Sequence, residues 1–126
     1  MKIEHIAIWV NDLEGMRDFY VKFFEVSSND MYHNPNKNFS SYFLSFQSGP
    51  RIELMHRPDI LFGDTKEKLG LVHMAISVGS EERVNQLTER LREHGISIVG
   101  EPRTTGDGYY ESVVADPEGN LIELTV

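Results

Sequence analysis

The chain has five histidines and no cysteine. Disulfides and thiolate metal sites are therefore excluded, and any metal ion must be held by His, Asp or Glu. Two of the histidines stand in the same local setting. Ile3-Glu4-His5-Ile6-Ala7-Ile8-Trp9-Val10 and Leu71-Val72-His73-Met74-Ala75-Ile76-Ser77-Val78 both read apolar-x-His-apolar-Ala-Ile-x-Val. Two carboxylates are matched as well, Glu53 within Ile52-Glu53-Leu54 and Glu123 within Ile122-Glu123-Leu124. The two His-to-Glu intervals are nearly equal. Together, two carboxylates and two neutral imidazoles would balance one divalent cation. His5, Glu53, His73 and Glu123 are thus the candidate metal ligands. His33, His56 and His94 have no such matches: His33 falls in a polar loop, His56 on a helix-facing strand position, and His94 near a helix C-terminus.

The elements that must position these four residues form an internal repeat. Each His-bearing segment has strand composition. A helical pattern follows each one, Leu13, Met16, Tyr20, Phe23 and Phe24 after the capping Asp12, and Val84, Leu87 and Leu91 after the capping Ser80. Gly95 sits where a helix C-terminus favours the left-handed conformation. Each unit then ends in a hairpin. The first runs from 42–46 through Ser48-Gly49-Pro50 into 51–55, and the second from 112–115 through Asp116-Pro117-Glu118-Gly119-Asn120 into 121–125. The expected fold is α+β, with two tandem βαβββ modules in a curved mixed sheet. Module 1 is about 1–57, a connector 58–70 follows, and module 2 is about 71–126, the whole forming a single domain.

Strand alternation says where the polar side chains go. Ile6, Ile8 and Val10 share one face of the first strand, and His5, Ala7 and Trp9 the other. In the last strand of module 1, Ile52 and Leu54 oppose Glu53 and Met55. The second module splits in the same way. If the aliphatic stripes lie on the helices, all four His and Glu point away from them.

These residues resemble the vicinal oxygen chelate superfamily, the glyoxalase–bleomycin resistance protein family that includes glyoxalase I, methylmalonyl-CoA epimerase, extradiol dioxygenases, thiol transferases and metal-free bleomycin-binding proteins. The resemblance rests on the His-apolar-Ala-Ile strands, on Asp12-Leu13 with Phe19-Tyr20, and on Asp116-Pro117-Glu118-Gly119-Asn120 before Ile122-Glu123-Leu124. Members similar to glyoxalase I use a His, Glu, His, Glu set, which implies His5, Glu53, His73 and Glu123 here. Such donors suit an octahedral Ni, Co, Mn, Fe or Zn ion. The implied activity is a lyase or isomerase reaction on a small carbonyl compound or thiol adduct through a metal-stabilised enediolate, with Glu123 as general base and Glu53 as its partner. The resemblance also allows an oxygenase, a thiol transferase or a non-catalytic binder of a drug or antibiotic. It implies a homodimer, with the site closed inside one chain or shared between two.

The chain departs from short bacterial glyoxalase I where that family binds glutathione. Trp9 stands in place of an Arg, Arg57 in place of an Asn, and Thr104-Thr105-Gly106-Asp107-Gly108 lacks the family's lysine, so glutathione is not implied. Trp9, Met55 and Arg57 instead share the parity of Glu53, offering an aromatic wall and a cation to a planar or anionic substrate.

Composition bounds the remaining classes. A net charge of −8 argues against a nucleic-acid partner. No window is apolar enough to span a membrane. No apolar signal region precedes the first strand, so a cytoplasmic location is expected.

Overall fold

The computed structural model describes residues 2–61, 70–106 and 108–126. Most of the expected connector, with Gly63, lies outside the described residues, as does Asp107. The chain divides into two compact units, within 1–65 and 66–126. Each is an α+β module with its own mixed sheet.

Module 1 runs β1 (His5–Trp9), α1 (Leu13–Phe24), β2 (Ser27–Ser28), β3 (Tyr32–Asn34), β4 (Phe39–Ser45) and β5 (Arg51–His56). Its sheet has the order β1-β5-β4-β2, with β3 also paired to β4. β1 lies parallel to β5, in a register that sets Ala7 against Glu53 and Trp9 against Met55. β4 and β5 form the antiparallel hairpin, with Phe43 opposite Glu53. Gly49 takes a φ of 91° in the connecting turn, a conformation that costs a residue with a Cβ.

Module 2 runs β6 (His73–Ser77), α2 (Glu81–Glu93), β7 (Ile98–Thr104), β8 (Tyr110–Ala115) and β9 (Leu121–Thr125), in the sheet order β6-β9-β8-β7. Its parallel pair sets Ala75 against Glu123, and Val113 faces Glu123 across the hairpin. The registers of the two modules therefore superimpose residue for residue around the matched His and Glu. Between helix and hairpin, module 1 has two short strands, β2 and β3, where module 2 has the single strand β7, and His33, expected in a loop, belongs to one of them. It is held there by backbone pairing to Ser40 and by a side-chain bond between its Nδ1 and Ser40 Oγ at 3.0 Å.

Both helices begin at the expected caps. The Asp12 carboxylate accepts from the Gly15 N–H at 3.0 Å, and the Ser80 hydroxyl from the Arg83 N–H at 3.2 Å. Gly95, at φ 76°, follows the end of α2. One face of each sheet is sealed by its helix. In module 1, Leu44, Ile52 and Leu54 pack with Met16, Phe19, Tyr20, Phe23 and Phe24 as buried core; in module 2, Val114, Ile122 and Leu124 pack with Val84 and Leu91. A hydroxyl at the same hairpin position ties each sheet to its helix. Tyr42, opposite Leu54, donates to a Glu14 carboxylate oxygen at 2.6 Å. Ser112, opposite Leu124, meets Thr88 Oγ1 at 2.7 Å. With the helices on one face, the other face of each sheet is left to His and Glu.

No described helix is long and apolar enough to cross a membrane.

Candidate functional site

In module 1, His5 and Glu53 are diagonal neighbours on the face away from α1. His5 pairs with Arg51 in the parallel register, and Glu53 lies two residues further along the same side of β5. The imidazole Nε2 stands 3.8 Å from a Glu53 carboxylate oxygen. In module 2, His73 pairs with Leu121, and its Nε2 lies 3.1 Å from a Glu123 oxygen. The carboxylates are the more enclosed partners, at 14% and 20% side-chain exposure for Glu53 and Glu123, against 39% and 38% for His5 and His73. The structure thus brings the four residues together as two pairs, one per module. Among the described residues no three His, Asp or Glu side chains gather into one cluster.

Bonds of about 2.1 Å to nitrogen and oxygen place neighbouring donors of one ion about 3.0–3.4 Å apart; the His73–Glu123 pair, at 3.1 Å, has that spacing, and the His5–Glu53 pair, at 3.8 Å, is wider. A partly enclosed carboxylate also gains from a cation, because desolvation disfavours its charge.

Trp9, Met55 and Arg57 lie on the same side of module 1. Trp9 and Met55 are register partners, and the Arg57 guanidinium sits 5.3 Å from the centre of the Trp9 ring. Trp9 is 43% exposed. Arg57 is not free, since its Nε donates to Asp59 at 2.6 Å, and that bond holds the Asp59 carboxyl below its usual range. Arg57 also borders an open groove of about 630 Å³ lined with Asn36, Lys37, Asn38, Pro58 and Asp59. None of the four candidate ligands lines that groove.

The motif Asp116-Pro117-Glu118-Gly119-Asn120 acts as scaffolding for Glu123. Asp116 is 4% exposed, and its carboxylate accepts from the backbone N–H groups of Glu118 and Asn120 at 3.0 and 2.9 Å and from the Asn120 amide at 2.8 Å. These bonds close the turn that starts β9. His56 and His94 are satisfied locally: each Nδ1 donates to a backbone carbonyl, that of Val10 at 3.0 Å and of Arg90 at 2.7 Å respectively.

Three residues at the site escaped the sequence reading. Glu4 bonds to His5 Nδ1 at 2.5 Å and pairs with Arg51, while Phe43 meets the His5 ring edge-on at 5.3 Å. The signals that could have found Arg51 and Phe43 are the parallel register of β1 on β5, which puts Arg51 beside His5, and the hairpin register of β4 on β5, which puts Phe43 beside Glu53.

The family model of the Glyoxalase/Bleomycin resistance protein/Dioxygenase superfamily matches residues 2–124. The chain belongs to this superfamily. A curated relative, the uncharacterized protein YqjT of Bacillus subtilis, is 27% identical over 97% of this chain and 96% of its own length. Among solved structures, a glyoxalase family protein from Enterococcus faecalis superimposes with a TM-score of 0.81 at 26% identity, covering 99% of this chain and 97% of the other. The trypanothione-dependent glyoxalase I of Leishmania major gives a TM-score of 0.79 at 25% identity, covering 99% and 86%. The superfamily contains glyoxalase I enzymes, and its glyoxalases typically bind a divalent metal.

Proposed function

We propose that the protein is a metal-dependent isomerase or lyase of the glyoxalase I type, acting on a small carbonyl compound or thiol adduct. The observation that carries this reading is the recurrence of one His–Glu pair, in one register, in both modules. A single such pair is unremarkable as a surface ion pair. Two at equivalent positions make a donor set that would hold one divalent transition metal ion, Ni, Co, Zn, Mn or Fe. On this reading His5, Glu53, His73 and Glu123 are the ligands, gathered within one chain or across a homodimer.

A bound ion would supply Lewis acidity toward two adjacent substrate oxygens, making the proton beside a carbonyl easier to remove. The chain's own task is to move that proton. Glu123 is the first candidate to accept it as general base, and Glu53 is placed in the matching half to return it. His5 and His73 have no proton to give through the nitrogens that face the carboxylates once those nitrogens act as donors to an ion. Trp9 and Met55 would shape an apolar wall beside Glu53, and Arg57 would add a positive charge above it. That wall replaces the family's glutathione contacts and supports a planar or anionic substrate other than glutathione.

The test is metal analysis of protein purified without added metal or chelator, beside the double variant His5→Ala/Glu123→Ala. About one transition-metal ion per chain, lost in the variant, supports the reading and identifies the metal for substrate screening. A wild type that holds no metal and binds none of Ni, Co, Mn, Fe or Zn overturns it, leaving the same face as a binding surface for an organic ligand.

A further inference from the structure

The two His–Glu pairs match, yet their surroundings do not. Around His5 stands a braced carboxylate. The Glu4 Oε2 lies 2.5 Å from His5 Nδ1. Its Oε1 accepts from Arg51 Nε at 3.0 Å and Nη2 at 2.5 Å, and the Glu4 carbonyl accepts the Arg51 backbone N–H at 3.0 Å. The Arg51 guanidinium is itself fixed over the Phe43 ring, 4.1 Å from its centre. The same ring meets His5 at 5.3 Å with planes at 87°. His5 is therefore held on two sides, by a carboxylate at Nδ1 and by an aromatic edge. In module 2 the equivalent positions are Val72, Leu121 and Val113, none of which can accept a proton from His73.

This difference decides which nitrogen carries the proton. A carboxylate beside Nδ1 accepts a hydrogen bond and offers none, so it favours the tautomer with the proton on Nδ1. Neutral His5 then presents a bare lone pair at Nε2, which faces a Glu53 oxygen 3.8 Å away. Two acceptors opposed across that gap are an arrangement a cation resolves. His73 is under no such constraint and can donate Nε2–H to Glu123 at 3.1 Å. We propose that Glu4, braced by Arg51 on Phe43, is the positioning residue that presets His5 Nε2 as a metal donor, so that module 1 is the preorganised half of the site and module 2 the adaptable one. This rests on the metal-site reading above, and carboxylates behind ligating histidines commonly act in this way.

The experiment uses the full chain labelled with ¹⁵N-histidine, metal-free at about pH 8, where an ordinary histidine is neutral. Long-range ¹H–¹⁵N correlation spectra distinguish the two tautomers and the doubly protonated ring. The expected result is His5 with its proton on Nδ1 in the wild type, a shift toward the Nε2–H form in Glu4→Ala, and unchanged His73 signals in both. Glu4→Ala should also weaken Co(II) or Zn(II) binding by about 10–100-fold, and Arg51→Met by less, because the carboxylate remains. His5 found as the Nε2–H tautomer or as the doubly protonated ring in the wild type overturns the proposal. So does an unchanged tautomer in Glu4→Ala, even if metal binding weakens, since Glu4 would then act only through its charge. A wild type with the expected tautomer but no affinity for any metal overturns the metal-site reading instead. Because Glu4 lies on the surface, loss of fold in Glu4→Ala is not expected; Glu4→Gln provides the isosteric control, with an intermediate tautomer shift.

Discussion

A ligand and a structural ion-pair partner respond oppositely to neutralisation, and Glu123 is where the difference is largest. Glu123→Gln keeps the size of the side chain and removes its charge. In the metal-free protein that charge faces His73 at 3.1 Å with 20% of its side chain exposed. A partly exposed pair of this kind contributes about 0–1 kcal/mol, and the amide avoids the desolvation that the carboxylate suffers. The metal-free variant should therefore match the wild type within about 1 kcal/mol, roughly 3–5 °C for a chain of 126 residues. Metal changes the comparison. Free ion at about 100 times its dissociation constant stabilises the wild type by about 2.7 kcal/mol, or about 8–14 °C. Glu123→Gln should lose most of that rise. Calorimetric melting of both proteins, first with chelator and then with Ni, Co or Zn, reads both numbers. A metal-induced rise of equal size in the variant refutes Glu123 as a ligand. A drop of about 3–5 kcal/mol without metal refutes it differently, by making the His73–Glu123 pair a buried structural bridge.

Three further outcomes follow from the structure. The bond to the Glu14 carboxylate raises the Tyr42 phenol above its ordinary value of 10.0, so its contribution to stability is complete below about pH 10 and lost as pH rises through the raised folded value; urea unfolding between about pH 8 and pH 11 should show a shallower alkaline decline in Tyr42→Phe. Thr88→Val leaves the fully buried Ser112 hydroxyl without its 2.7 Å partner and should cost about 1–3 kcal/mol by chemical denaturation, most of it recovered by adding Ser112→Ala. Trp9 is the chain's one tryptophan and lies on the His5 side of β1, about 13 Å along the strand; titrated Co(II) should quench its emission to an end point near one ion per chain, and His5→Ala should abolish that end point.

How much of this was legible in the sequence follows from which interactions have a period. Strand alternation and the internal repeat placed His5 with Glu53 and His73 with Glu123, since a period of two assigns a face without knowledge of contacts. The helix caps at Asp12 and Ser80 and the turn at Gly119 were equally local. The α+β class with two modules followed from the order of these elements. The strand expected between helix and hairpin was given no range; in module 1 that stretch holds β2 and β3, Ser27–Ser28 and Tyr32–Asn34, two and three residues long, too short to show any period. The clamp on His5 was hidden for a different reason. Strict alternation sends Glu4 to the face opposite His5, but β1 begins at His5, so the Glu4 side chain stands outside the regular strand and can turn back to Nδ1. Arg51 reaches the same carboxylate only because β1 lies parallel to β5, a pairing between distant segments.

The same register that matches the pairs also exposes how different the two half-sites are. Beside the shared His, Ala and Glu, module 1 sets Arg51, Phe43, Trp9 and Met55 where module 2 sets Leu121, Val113, Ser77 and Thr125. What repeats is the His–Glu pair proposed to hold an ion; what differs is the set of side chains around it. In module 1 the neighbours of the pair are aromatic and cationic; in module 2 they are aliphatic and hydroxylic, with the Glu111 carboxylate opposite Thr125 and paired to Arg103. On the proposed reading the donors are separable from these neighbours. Exchanging Trp9 for Ser and Met55 for Thr, which gives module 1 the wall of module 2, should therefore leave metal affinity within about threefold, well short of the tenfold that marks 1.4 kcal/mol, while altering which substrates bind. A large loss of metal affinity in that variant would show that the wall and the donors are not separable.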